Sequence, residues 1–226
     1  MMGFFQVYVE NWSDWWPQLV PAMWNTVILT VWSYLFAVVL GILLALGQLS
    51  KARTVRALCK AYIEFVRGIP ALVILFLLYF GLLPLGIVFD PFTAAIIGLG
   101  MNQAGYMAEV FRGGIEALHK GQREAALAVG MTPFKAYRHI IMPQAIRIVL
   151  PPLLNMLISL LKYTSICSLI AAPELMLRAK DISAMAFRPM HIYLLTGVLY
   201  FMMAWPLSII ARRVEAHMRR GRRSTA

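Results

Sequence analysis

The chain has 226 residues, of which 61% are hydrophobic and only 14% charged, with a formal net charge of +11. A soluble domain carries about 25% charged residues, whereas here residues 15–50, 68–89, 91–108, 148–161, 163–173 and 189–211 contain no Asp, Glu, Lys or Arg at all. Such runs reach the ~20 residues a helix needs to cross a bilayer; they exclude a soluble domain and identify an integral membrane protein. The positive charge does not point to nucleic acid, because the basic residues flank apolar ends, where anionic lipid and the positive-inside bias account for them.

In chain order, a first segment is expected over residues 25–46, preceded by Trp12, Trp15, Trp16 and Trp24, a cluster suited to the headgroup level. Lys51, Arg53, Arg56 and Lys60 form a short basic loop. A second segment over 61–83 closes with Pro84, Gly86 and Asp90, and a third covers 92–111. The loop 112–147 holds Arg112, Lys120, Arg123, Lys135, Arg138 and Arg147 against Glu116 and Glu124. A fourth segment follows over 148–171, then a mixed loop with Glu174, Arg178, Lys180, Asp181 and Arg188, and a fifth segment over 192–211.

Five crossings put the three basic stretches, 49–60, 112–147 and the Arg-rich tail through Arg222-Arg223, on one side. The positive-inside rule calls that side the cytoplasm, which leaves the N-terminus outside. The N-terminus has no basic residue before Lys51 and so lacks the positive region of a cleaved signal peptide. No repeat or linker separates a second domain, and residues 1–226 read as one all-α membrane domain of five transmembrane helices. Cys59 and Cys167 fall near opposite sides and read as filler rather than a disulfide. His139 and His191 lie at membrane edges without partners at metal-ligand spacing, so no metal is implied.

Within 112–147 the residues spell two short helices around a turn. Good helix formers run from Glu124 to Val129, Gly130 allows a left-handed end, and Thr132-Pro133 supplies an N-cap and N1 proline for a second helix to about Ile141. Pro143 is expected to end or kink it. The spacing is specific: Glu124-Ala125-Ala126, three residues, Gly130, nine residues, Ile140, one residue, Met142-Pro143. It closely resembles the Glu-Ala-Ala loop of ABC-importer permeases, with Met142 where Leu is usual. The alternative, an amphipathic helix resting on lipid, does not account for the Gly and Ile-x-x-Pro in register.

Further stretches strengthen the likeness. Phe65-Val66-Arg67-Gly68-Ile69-Pro70, Asn102-Gln103-Ala104-Gly105-Tyr106-Met107-Ala108-Glu109-Val110-Phe111-Arg112-Gly113-Gly114, Leu161-Lys162-Tyr163-Thr164-Ser165 and Phe187-Arg188-Pro189 resemble the polar amino acid permeases of the histidine, glutamine and arginine group over about residues 20–215. The resemblance implies the type I importer fold in a bacterial inner membrane, with residues 112–147 as a cytoplasmic coupling loop. It implies an ABC ATPase dimer that binds ATP and Mg, a second permease subunit, a periplasmic or lipid-anchored binding protein and an amino acid substrate. No cofactor would be bound by this chain, and nucleic acid is not a partner.

The resemblance carries ATPase coupling onto Glu124, Ala125, Ala126, Gly130 and Pro143. Substrate-pathway candidates are Asn102, Gln103, Tyr106, Lys162, Tyr163, Thr164, Ile69 and Ile74. Three depart from the family pattern: Ile69 stands for Thr, Ile74 for Gln and Tyr163 for Asp. The loss of polar groups implies either a different, more polar second permease or a less polar substrate. Lys162, deep in the fourth segment, reads first as a structural charge paired with Glu64 or Glu109, and second as an attractor for a substrate carboxylate. Glu109 and Arg112 sit three residues apart on one helix face and read as a staple. A self-powered secondary transporter is the competing reading, and the absence of a repeat counts against it. Enzyme motifs and a P-loop are missing, so the chain is expected to do no chemistry and hydrolyse no ATP.

Overall fold

The computed structural model describes residues 2–117 and 120–220, and every regular element in them is helical; Arg222-Arg223 of the basic tail lie outside the described residues. Helix α1 (Met2–Gln48) is one rod of 47 residues, about 70 Å at 1.5 Å per residue. It begins well before the expected start at residue 25. Pro17 and Pro21 are accommodated within it. Its N-terminal half packs Val7, Trp15 and Leu19 against the last third of the chain, and its C-terminal half packs Ala37 and Leu44 against the centre.

The second segment is not one helix. α2 (Arg53–Gly68) and α3 (Ala71–Tyr79) meet at a bend of 105°. The cause is local: a residue before proline is pushed out of the helical region, and Ile69 is extended at φ −116°, ψ 148° ahead of Pro70. Beyond α3, a short 3-10 turn (Leu83–Leu85) ends on Gly86 at φ +75°. Asp90 then caps α4 (Pro91–Glu116), accepting hydrogen bonds from the Phe92 and Thr93 amides at 3.0 Å. The Thr93 hydroxyl, with these amides, holds that carboxyl below its usual range.

α4 is the central helix. It packs on α1, α2, α3 and α7, and its buried residues are mostly small: Ala94, Ala95, Gly98, Gly100, Ala104, Gly105, Ala108 and Gly114. Small residues let helices approach where lipid provides no hydrophobic drive between them. A Cβ on Gly41 of α1 would stand 2.9 Å from the Met107 Cβ, and one on Gly100 would strike the Phe36 ring. Enclosure also explains a difference in apolarity. The helices long and apolar enough to cross a membrane are Gly3–Gln48, Pro133–Ile170 and Pro189–Met218, with the bent α2–α3 pair as a fourth. α4 is not among them, since a helix sheathed by other helices does not need an apolar surface all round.

After α5 (Lys120–Ala128) the chain forms one long helical run: α6 (Pro133–Ala136), a π turn (Tyr137–Ile141), α7 (Met142–Tyr163) and a 3-10 segment (Thr164–Ile170). Of the two outcomes expected at Pro143, an end or a kink, the end does not occur. The π turn widens the helix just ahead of it, and the Met142 amide reaches the Tyr137 carbonyl five residues back.

The stretch read as a mixed outer loop contains a helix, α8 (Leu175–Ala186), ending on Phe187 at φ +53°. Leu175, Ala179 and Ile182 are buried against Trp15, Leu19 and residues Ile192 and Leu199 of α9 (Pro189–Arg220). Glu174 is fully buried at its start. Its carboxylate accepts bonds from the Met176 and Leu177 amides at 2.8 Å and the Tyr200 hydroxyl at 2.7 Å, which ties α8 to α9. The Leu175 amide donates to the Thr26 hydroxyl at 3.0 Å and ties the same corner to α1.

Candidate functional site

Two regions carry the candidate residues. In the first, α5 ends as the sequence implied. Gly130 is left-handed at φ +80°. The Gly130 amide donates to the Leu127 carbonyl at 3.0 Å and the Met131 amide to the Ala126 carbonyl at 3.1 Å. This pair of bonds is the Schellman motif. Thr132 caps α6, its hydroxyl accepting from the Lys135 amide, with Pro133 in the first turn. Ala126 is buried beneath, whereas Glu124 and Ala125 face outward. Val129 and Phe134, on either side of the turn, are 77% and 73% exposed. Their exposure was not anticipated from the sequence, although apolar residues flanking a tight Gly-Pro-bounded turn could have signalled it. Pro143 lies beyond the π turn, in the first turn of α7, and is exposed.

The second region is the break between α2 and α3. Pro70 has no amide proton, so the Val66 carbonyl four residues earlier has no helical donor. The Asn102 side chain of α4 supplies one, donating to that carbonyl at 2.9 Å. Tyr106, one turn along, donates to the Arg67 carbonyl at 3.4 Å. Gly105 sits between them, and a Cβ there would strike Val66. Ile69 is half-buried at the break, Ile74 is buried one turn into α3, and Gln103 is buried on the next face of α4. The structure thus brings Ile69, Asn102 and Tyr106 together, with the two polar side chains engaged in holding backbone.

Lys162, Tyr163 and Thr164 lie apart, where α7 gives way to the 3-10 segment. Lys162 and Tyr163 are exposed; Thr164 is buried, its hydroxyl donating to the Leu161 carbonyl at 2.7 Å. The expected pairing of Lys162 with Glu64 or Glu109 is not formed among the described residues. Leu160 packs beside Leu99, ten residues from Glu109 along α4, or about 15 Å. Glu109 is taken instead by Arg112, at 2.6 Å, and by the Gln48 amide, at 3.1 Å. The expected staple is therefore present. Both cysteines are free, and no cluster of metal-ligating side chains is found among the described residues.

Residues 37–224 match the family model described as the inner membrane component of binding-protein-dependent transport systems. The chain belongs to this family. It is 41% identical over 195 residues to the probable amino-acid ABC transporter permease YckA of Bacillus subtilis, covering 86% of this chain and 84% of that one. It is 34% identical over 209 residues to the L-cystine permease TcyB of the same organism (92% and 89% covered). With the glutamine permease GlnP of Escherichia coli it shares 33% identity over 216 residues (92% and 98%).

Among solved structures, an amino acid ABC transporter crystallised with histidines superposes with a TM-score of 0.87 at 34% identity, over 92% of this chain and 97% of that one. The methionine transporter MetNI, at 20% identity and a TM-score of 0.73 over 89% and 96%, supports the fold alone. In this family the membrane subunit is the permease component of an ABC transporter, and the self-powered alternative falls away.

The break predicts a defined cost. Asn102→Ala leaves the Val66 carbonyl without a donor, and should lower stability by about 1 kcal/mol, the scale of a hydrogen bond between membrane helices. Thermal unfolding of the purified protein without substrate measures this. An unchanged transition would show that Asn102 does not hold the break.

Proposed function

We propose that the chain is one of two permease subunits of an importer for polar amino acids in a bacterial inner membrane. In this reading an ATPase dimer is docked on residues 120–141, ATP and Mg are held by that partner, and a binding protein delivers substrate from outside. The observation that carries it is the α5–α6 turn. Val129 and Phe134 are exposed beside a capped turn that also presents Glu124 and Ala125, the residues the family resemblance assigns to docking. Exposed apolar side chains on a conformationally fixed turn, with an outward carboxylate beside them, offer a surface that suits a protein contact. The amino acid class rests on the relatives, whose names include glutamine and cystine permeases.

Five crossings follow if α2–α3 is one broken span and the sheathed α4 is another. The N-terminus is then outside and α5–α6 in the cytoplasm. The second permease is a non-identical, more polar homologue. Ile74 is buried and apolar where the family resemblance implies Gln, and Asn102 and Tyr106 are committed to the helix break. That leaves Lys162, Gln103 and the Tyr163 hydroxyl as the polar candidates for a zwitterion whose two charged ends both need partners in the membrane.

Three outcomes test this. Glu124→Lys should reduce ATP-driven uptake by about tenfold, within ordinary coupling energies, with the subunit at normal level in the membrane; Gly130→Pro should act likewise, since proline cannot adopt positive φ. Wild-type uptake by both would remove the loop from coupling. In whole cells, a cysteine at position 117 should be protected from an impermeant reagent and one at position 8 labelled; the opposite pattern inverts the topology. Purification should yield two different permeases, and a transporting complex with two copies of this chain alone would refute the heterodimer.

A further inference from the structure

A cleft of about 360 Å³ opens between the end of α1, α2 and α4, and seven charged side chains line it. Glu109 sits at its centre. One carboxylate oxygen, Oε2, is within 2.6 Å of Arg112 Nη2 and at 4.0 Å from Arg67 Nη1. The other, Oε1, accepts from Gln48 at 3.1 Å and from Arg112 Nε at 3.4 Å, so Arg112 reaches both oxygens. Two guanidinium groups therefore address a single oxygen, and Arg112 holds it. Arg67 stands at the limit of contact, its guanidinium carbon 5.4 Å from the centre of the Tyr106 ring. Arg112 also has a second carboxylate, pairing with Glu116 at 2.5 Å in the last turn of α4.

We propose that Glu109 is a positioning residue for transport, an exchange point between Arg112 and Arg67 that links the α2–α3 break to the root of the coupling loop. This rests on the coupling role proposed for residues 120–141. There are two arrangements. In the one seen, Arg112 bridges Glu109 and Glu116, and Arg67 lies over Tyr106. In the other, Arg112 keeps Glu116 alone and Arg67 closes on Glu109. Exchange is cheap because every participant is partly exposed to the cleft, from 26% for Glu109 to 52% for Glu116, and such pairs contribute little net energy.

The consequences reach both ends of α4. Arg67 carries the carbonyl that Tyr106 holds, next to Ile69 and the break. Glu116 is the last residue of α4, ahead of α5. A discrete pair of states biased from two sites is what physical coupling requires.

The test uses the whole complex in proteoliposomes, reading membrane level, ATP hydrolysis with and without binding protein and substrate, and uptake of labelled glutamine and histidine. Arg67→Ala removes the competitor, and Glu116→Gln removes the alternative partner; both leave Arg112 fixed on Glu109. Each should abolish most of the substrate-stimulated hydrolysis and lower uptake by about tenfold, with basal hydrolysis unchanged. The double variant should be no worse than either single one, because both act on one equilibrium. Arg67→Lys should restore much of the stimulation.

Undiminished stimulation in both single variants, losses that multiply in the double, or no rescue by lysine in a normally inserted subunit would each overturn the exchange. Absence of uptake by the wild-type complex would instead overturn the importer reading, and the exchange with it.

Discussion

A backbone carbonyl deprived of its donor inside a membrane must find another, and that requirement organises the centre of this protein. Pro70 removes the donor for Val66, and Ile69, driven into extended backbone, ends α2 at Gly68. The two freed carbonyls next to the break are met from α4 by Asn102 and Tyr106. To reach them α4 must lie almost in contact with α2, which Gly105 permits, and with α3, where Gly98 faces Leu75. The same closeness puts α4 inside the bundle, makes its surface small rather than apolar, and leaves α1, α7 and α9 to present the large side chains outward.

Much of this was legible in the chain, and the failures have distinct origins. The uncharged runs located the apolar helices, and the left-handed Gly130, the Thr132 cap and the N1 Pro133 read directly because each depends only on neighbours in sequence. Prolines were the difficulty. Pro17, Pro21, Pro151, Pro152 and Pro206 all sit inside helices, and Pro143 is absorbed by a π turn, whereas Pro70 breaks its segment. At Pro70 the freed carbonyls find donors on another helix, which no local pattern displays. α8 was missed for a different reason. Its charges drew it as a loop, although Leu175, Ala179, Ile182 and Ala186 recur at helical spacing, and Glu174 resembles a surface acid until its three donors are seen to bury it.

The candidate pathway was half legible. Asn102, a pathway candidate in the sequence, donates its amide to the backbone of another helix. Lys162 was expected to seek an acid, and the packing of Leu160 on Leu99 sets it too far along α4 from Glu109. Both outcomes depend on the register of one helix against another, a quantity fixed by glycine contacts such as Gly114 on Val149 rather than by composition.

These facts bear on why a permease would spend its central polar groups on its own backbone. A broken helix held by two side-chain bonds can bend at the break with few contacts to remake, whereas one held by a continuous ladder would have to unwind. α4 carries the holding groups in its middle and a chain of charges, Glu109, Arg112 and Glu116, at its end. A stiff helix with these two polar stretches on one rod transmits displacement along its length without needing to deform. A push at the loop it leads into would then be felt at the break, and a load at the break would be felt at the loop, as reciprocity of coupling demands.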